Sequence, residues 1–173
     1  MPQLRPGDQH RPAPTRFAFY GYTCTGPLVE TPGRDQQFCD LTRAQTLTEQ
    51  LGGQIITQYY DIDSDHRLHP RLRPWTQRPQ ARLMLDALPS HEFDALIVAN
   101  ITPWLFAGDD VWDVVALLAR HGMTLWTPGI HRPLDPTNPE HALMASIYTG
   151  TAGEGNGPTS RPDADGSSAG GRS

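Results

Sequence analysis

The chain has 173 residues, 37% of them hydrophobic, which is enough for one domain that buries a core without disulfide or metal staples. Its formal net charge is −5 and all 14 of its basic residues are arginine, a balance that excludes a broad basic nucleic-acid surface. Two cysteines, Cys24 and Cys39, form neither a disulfide framework nor a paired zinc spacing, and with no bilayer-spanning run and no export signal they read as reduced thiols in a cytoplasmic protein.

Residues 1–15 are polar and proline-rich and read as a disordered leader. From Arg16 the pattern changes. "RFAFYGYT" predicts an aromatic-rich strand that runs out into a loop carrying Cys24. The stretch "TPGRDQQFCDLTRAQTLTEQLGG" predicts a helix with Phe38, Leu41, Leu47 and Leu51 near one face and a C-cap at Gly52-Gly53. "QIITQYYDI" predicts a second strand, and "RPQARLMLDAL" a short helix offering Leu83, Leu85 and Leu88 to a core. "FDALIVAN" is an unbroken apolar run of the kind buried on both faces of a sheet. A helix follows in "GDDVWDVVALLARHG", started by Asp109 or Asp110 and ended by Gly122. "MTLWT" is a fourth strand, and "NPEHALMASIY" a final helix opened by Asn138-Pro139.

This order implies an α/β protein: a three-layer, mostly parallel open sheet of four or five strands flanked by helices. After Tyr148 the chain turns rich in Gly, Ser, Pro and Asp. Residues 151–173 cannot bury enough apolar surface to offset their ordering entropy and read as a disordered tail.

In such sheets reactive groups collect at the carboxyl ends of the strands. Tyr22–Pro32, Asp61–Gln77, Asn100–Gly108 and Pro128–Asn138 are therefore the loops to inspect. Cys24 in the first is either a nucleophile, if a cation stabilises its thiolate, or a small loop residue. No phosphate-cradling glycine pattern accompanies it. The second loop is the most charged, with Asp61, Asp63, Asp65, His66 and several arginines. It lacks the glycine and closing glutamate of a calcium loop; Asp63, Asp65 and His66 are the one conceivable metal set, and the arginines could meet phosphates or the preceding aspartates. The third loop, "NITPWLFAGDD", offers no acid, base or cation before Asp109, and the histidines show no ligand spacing. No cofactor is indicated.

From about Arg16 to Gly150 the order of parts and several strings resemble the resolvase/invertase-type catalytic domain of serine site-specific recombinases. Tyr20-Gly21-Tyr22-Thr23-Cys24-Thr25 stands where that family has Tyr-(Gly/Ala)-Arg-Val-Ser-Thr. Leu41-Thr42-Arg43-Ala44 echoes its first helix, and Arg78-Pro79 with Leu83 to Leu88 its "RP" helix. "FDALIVAN" and "HGMTLWTPGIHRPLDPTNPEHALMASIYTG" follow in the family's order.

The resemblance implies a resolvase-like fold and, for the family, DNA binding and strand exchange through a serine that attacks a phosphodiester while arginines neutralise the transition state. Carried over residue by residue, Cys24 takes the serine position and Tyr22 that of the arginine two before it. The family's Asp-Arg pair and its following arginine align, in a gap-free register, with Thr102, Pro103 and Phe106. Arg78 is the retained arginine. The implied reading is a degenerate domain without catalysis, with DNA binding weak or absent because the family's long charged helix and DNA-binding domain give way to the tail after Gly150. Its alternatives are an interaction module pairing with a recombinase as a homo- or hetero-dimer, and a repurposed α/β enzyme using Cys24.

Overall fold

The computed structural model describes residues 15–24, 33–63 and 73–149. Its elements are β1 (Arg16–Cys24), α1 (Gly33–Gln50), β2 (Gln54–Asp63), α2 (Pro79–Ala87), β3 (Ala95–Val98), α3 (Val111–Arg120), β4 (Thr124–Trp126) and α4 (Pro139–Thr149). Single 3-10 turns at Trp75–Gln77 and Leu88–Ser90 flank α2. The expected leader and tail, and Asp65 and His66, lie outside the described residues.

The strands form one sheet in the order β2-β1-β3-β4, with every neighbouring pair parallel. The α/β architecture is as expected, with four strands and a wholly parallel sheet. β1 sits inside the sheet, and alternation splits its side chains between two cores. Phe17 and Phe19 join Ala95, Ile97 and Trp126 beneath Ala44 and Leu47 of α1. Ala18 and Tyr20 join Leu96, Val98 and Leu125 under residues of α2, α3 and α4. One helix therefore covers one face and three cover the other.

A bulge in β2 adjusts which side chains reach which core. Phe17 pairs with Ile55 but Ala18 pairs with Thr57, so Ile56 is the extra residue and the alternation inverts past it. Tyr60 thereby packs with the α1-side cluster, while Tyr59 packs with the opposite one. A Cβ at Gly21 would overlap the Tyr60 ring, and the absent side chain gives that ring its place.

Helix ends follow local chemistry. The amides of Gly122 and Met123 donate to the carbonyls of Ala119 and Leu118, and Gly122 has φ 71°, the left-handed cap that glycine adopts without a Cβ penalty. Asp110, rather than Asp109, caps α3 by accepting the Trp112 amide at 2.7 Å.

Three expectations are corrected. Phe38 is 70% exposed and Leu83 55% exposed. The other expected positions hold, Leu47 and Leu88 being buried and Leu41, Leu51 and Leu85 packed against the cores, and the inward faces are completed by Asp40, Ala44 and Thr48 on α1 and by Ala81 and Met84 on α2. Asp40 takes a core-facing position on α1 because its carboxylate accepts bonds from the Tyr60 hydroxyl at 2.9 Å and Gln36 at 2.8 Å. Finally, each of the first two strands runs one residue further than expected, so that Cys24 and Asp63 are strand, not loop, since the β1–β2 pairing continues to Cys24 opposite Asp63.

Candidate functional site at the carboxyl edge of the sheet

Arg78 is the centre of this region. It immediately precedes α2, is only 2% exposed, and is stacked under the Tyr22 ring, 4.2 Å from guanidinium carbon to ring centroid. A guanidinium has five N–H donors, and each one is used. Nε donates to the Arg73 carbonyl at 2.9 Å. Nη1 donates to the Leu105 carbonyl at 2.7 Å and the Tyr20 hydroxyl at 3.2 Å. Nη2 donates to the carbonyls of Trp104 at 2.9 Å and Ala107 at 3.3 Å. The side chain thus ties the start of α2 and the loop after β3 to β1.

Tyr20 and Asp61 complete the buried network. The Tyr20 hydroxyl accepts from Arg78 and donates to Asp61 Oδ2 at 3.2 Å. Burial pushes this hydroxyl well above the ordinary tyrosine range; the Arg78 cation opposes the shift and Asp61 adds to it. Asp61 also receives the amides of Gln80 and Ala81, both at 2.9 Å. Pro79 has no N–H, and the Arg78 side chain makes no capping bond. A strand carboxylate therefore satisfies the first turn of α2 in place of a local cap.

Tyr22 and Asp63 lie one alternation further along. The Tyr22 hydroxyl donates to Asp63 Oδ2 at 3.4 Å, and Arg73 Nη1 lies 3.5 Å from the same oxygen. Of the two fates open to the arginines of this segment, Arg73 adopts the ion pair with a preceding aspartate. Cys24 closes β1 opposite Asp63 in the backbone register.

The loop after β3 holds the three other candidates. Thr102 is half-buried, and its hydroxyl accepts the Leu105 amide at 3.1 Å. Pro103 is exposed. Phe106 is buried, its ring stacked on Trp75 at 5.5 Å. Trp75 in turn donates its indole N–H to the Leu105 carbonyl at 2.7 Å and its amide to Asp109 at 2.6 Å. Tyr22, Arg78 and the carbonyls of Trp104, Leu105 and Ala107 are thus one cluster; Phe106 joins it only through Trp75.

No protein-family model and no curated protein sequence matches the chain. Solved structures do. The N-terminal catalytic domain of TP901-1 integrase aligns over 79% of this chain and 93% of its own, at 13% identity and a TM-score of 0.51. The C-terminal catalytic domain of ISC1926 TnpA, an IS607-like serine recombinase, aligns over 65% of this chain and 69% of its own, at 12% identity and a TM-score of 0.50. The chain has the fold of a serine recombinase catalytic domain.

Within this recombinase fold, several organising residues escape a reading by residue type. Tyr20 and Trp75 look like core aromatics, and their polar tips give no sequence signal. Asp61 sits in a run of alternating acids, and only the β1–β2 register shows that it points to α2. The loop "NITPWLFAGDD" contributes through backbone carbonyls, which no side-chain pattern reveals. The described residues contain no group of three or more His, Cys, Asp or Glu placed to hold a metal ion, and no helix among them is long and apolar enough to cross a membrane.

Proposed function

We propose that residues 16–150 form a resolvase/invertase-type domain that keeps the recombinase fold without catalysing strand exchange, Cys24 standing in the nucleophile's position and Tyr22, Thr102, Pro103 and Phe106 in those of its charged helpers. The observation that carries this reading is the engagement of Arg78. Phosphoryl transfer needs cationic donors aimed at the oxygens where charge develops. All five donors of the retained arginine are spent on carbonyls and one hydroxyl of the protein itself. Tyr22 covers its face and donates to Asp63, and among the described residues Arg73 and Arg78 stand against Asp61 and Asp63, a balance of charge that offers a phosphodiester little attraction.

The test is incubation of the full chain with supercoiled plasmid, followed by a search for relaxed or nicked DNA and for protein covalently attached to it. Neither product is expected. Cleavage that disappears in Cys24→Ala would overturn the reading and favour a repurposed enzyme with a thiolate nucleophile.

A specific observation favours a second reading, that of an interaction module in the cytoplasm. Leu143 and Ile147 lie one turn apart on α4 and are 60% and 58% exposed, next to Tyr148 at 50%. That stripe suits pairing with another copy or with an intact recombinase. Sedimentation at rising concentration should show self-association that Ile147→Asp abolishes; a monomer throughout that also captures no recombinase would remove this reading.

A further inference from the structure

The parallel pairing of β3 with β4 sets Ala95 opposite Thr124 and so brings together the two turns that enter these strands. Each turn carries a histidine. His91 ends the 3-10 turn after α2, and His121 caps the carboxyl end of α3. The two are 30 positions apart in the chain, too far for a ligand spacing to show in the sequence. In the fold their ring centroids lie 6.5 Å apart, with planes inclined at 59°.

Both backbones are fixed while the rings stay accessible. His91 has φ 52°, the one described non-glycine residue in the left-handed region, which histidine enters more readily than most residues. Its carbonyl accepts Arg16 Nη2 at 3.2 Å, tying the turn to the start of β1. The His121 amide donates to the Leu118 carbonyl at 2.9 Å. His91 is exposed and His121 half-buried.

The surroundings suit a cation. The negative pole of the α3 dipole ends at His121, and Glu92, next to His91, is exposed. Arg16 is neutralised by Asp94 at 2.7 Å, and Arg120 is exposed and screened by solvent. Imidazole is the commonest metal ligand. Two imidazoles on one tetrahedral ion, each bonded at about 2 Å, have ring centres about 5 Å apart. The observed pair must close by roughly 1 Å to reach that spacing, a movement that rotation of the exposed His91 side chain supplies.

We propose that His91 and His121 bind a borderline divalent transition-metal ion of the Zn2+ class, each giving one ring nitrogen, with water completing the coordination. The ion clamps the turns that deliver β3 and β4 to the sheet, at the opposite end of the strands from the Arg78 cluster. The site goes beyond the recombinase reading and stands whether or not the chain acts on DNA.

The experiment follows the histidine side-chain resonances and the melting temperature of the full chain with ZnCl2 and with MgCl2. Zn2+ should move the resonances of His91 and His121 but not those of His131 and His141, and should raise the melting temperature by binding the folded state. Mg2+, which prefers oxygen ligands, should do neither. His91→Asn keeps a residue that tolerates the left-handed backbone, and His121→Gln keeps the helix end. Each should melt like the parent without metal and bind Zn2+ at least about tenfold more weakly, whereas His131→Gln should bind as the parent does. An unchanged melting temperature with Zn2+, an equal response to Mg2+, resonance shifts confined to other histidines, or unaltered affinity in both His91→Asn and His121→Gln would each overturn the proposal.

Discussion

Arg78 illustrates how a single side chain can be fully committed to the fold. Its guanidinium bonds to four carbonyls and one hydroxyl in a site that is 2% exposed. Removing it leaves buried acceptors unpaired, which costs more than the bonds themselves are worth. Arg78→Ala should therefore lower stability by about 3–5 kcal/mol, read as a shift in the denaturation midpoint. Arg78→Lys should recover only part of this, since an ammonium has three donors and no planar fork. A full recovery by lysine would show that charge alone matters here, and that the fivefold bonding does not.

Among the elements, α3 offers the cleanest separation of local signal from packing. Asp110→Ala should cost roughly 1 kcal/mol through loss of the N-cap, and Asp109→Ala should act differently, by releasing the Trp75 amide in the 3-10 turn before α2. Equilibrium unfolding of both variants with the double mutant would separate the two effects. The cap at Asp110, the glycine end at Gly122 and the buried run at β3 are all legible in the sequence, because each depends on residues adjacent in the chain. The inward place of Asp40 on α1 is not, because it is held there by Tyr60, a partner 20 positions away. The bulge at Ile56 is equally hidden, and without it the parity of β2 would send Asp61 to the wrong face. At the candidate site, the positions of Cys24, Tyr22 and Arg78 at one sheet edge follow from strand order and motif. What Arg78 does there depends on carbonyls of the loop after β3, which a list of side chains does not contain.

For the whole molecule, the titration of two tyrosines sets the alkaline limit of stability. Burial raises Tyr20, with Asp61 adding to the shift and Arg78 opposing it, and burial together with the Asp40 charge raises Tyr60. A group whose value is raised on folding gives its full stabilisation below its unfolded value, which for tyrosine is about 10. That stabilisation is lost as pH climbs from there toward the raised folded values. Stability should therefore hold a plateau through neutral pH and decline above about pH 10, with Tyr60→Phe flattening the decline in pH-dependent denaturation curves. The acid side behaves oppositely. Asp94 is lowered chiefly by its bond to Arg16, and Asp135 by its bonds to Thr137, so their contributions are lost as pH falls through those lowered values. Both are exposed enough that solvent screening keeps this limb shallow.

The interior place of β1 also fixes a schedule for synthesis. Residues 17–20 find one neighbour in β2 but must wait for Ala95–Val98 to supply the other, and the Arg16–Asp94 pair closes a separation of 78 positions. A ribosome adding about 5–20 residues per second needs several seconds to deliver that partner. During that interval the Phe17 and Phe19 strand has an unpaired edge, an invitation to other nascent chains and to holdase chaperones. A chain stopped just before β3 should accordingly aggregate or remain chaperone-bound, whereas one extended through β4 and α4 should be released in soluble form.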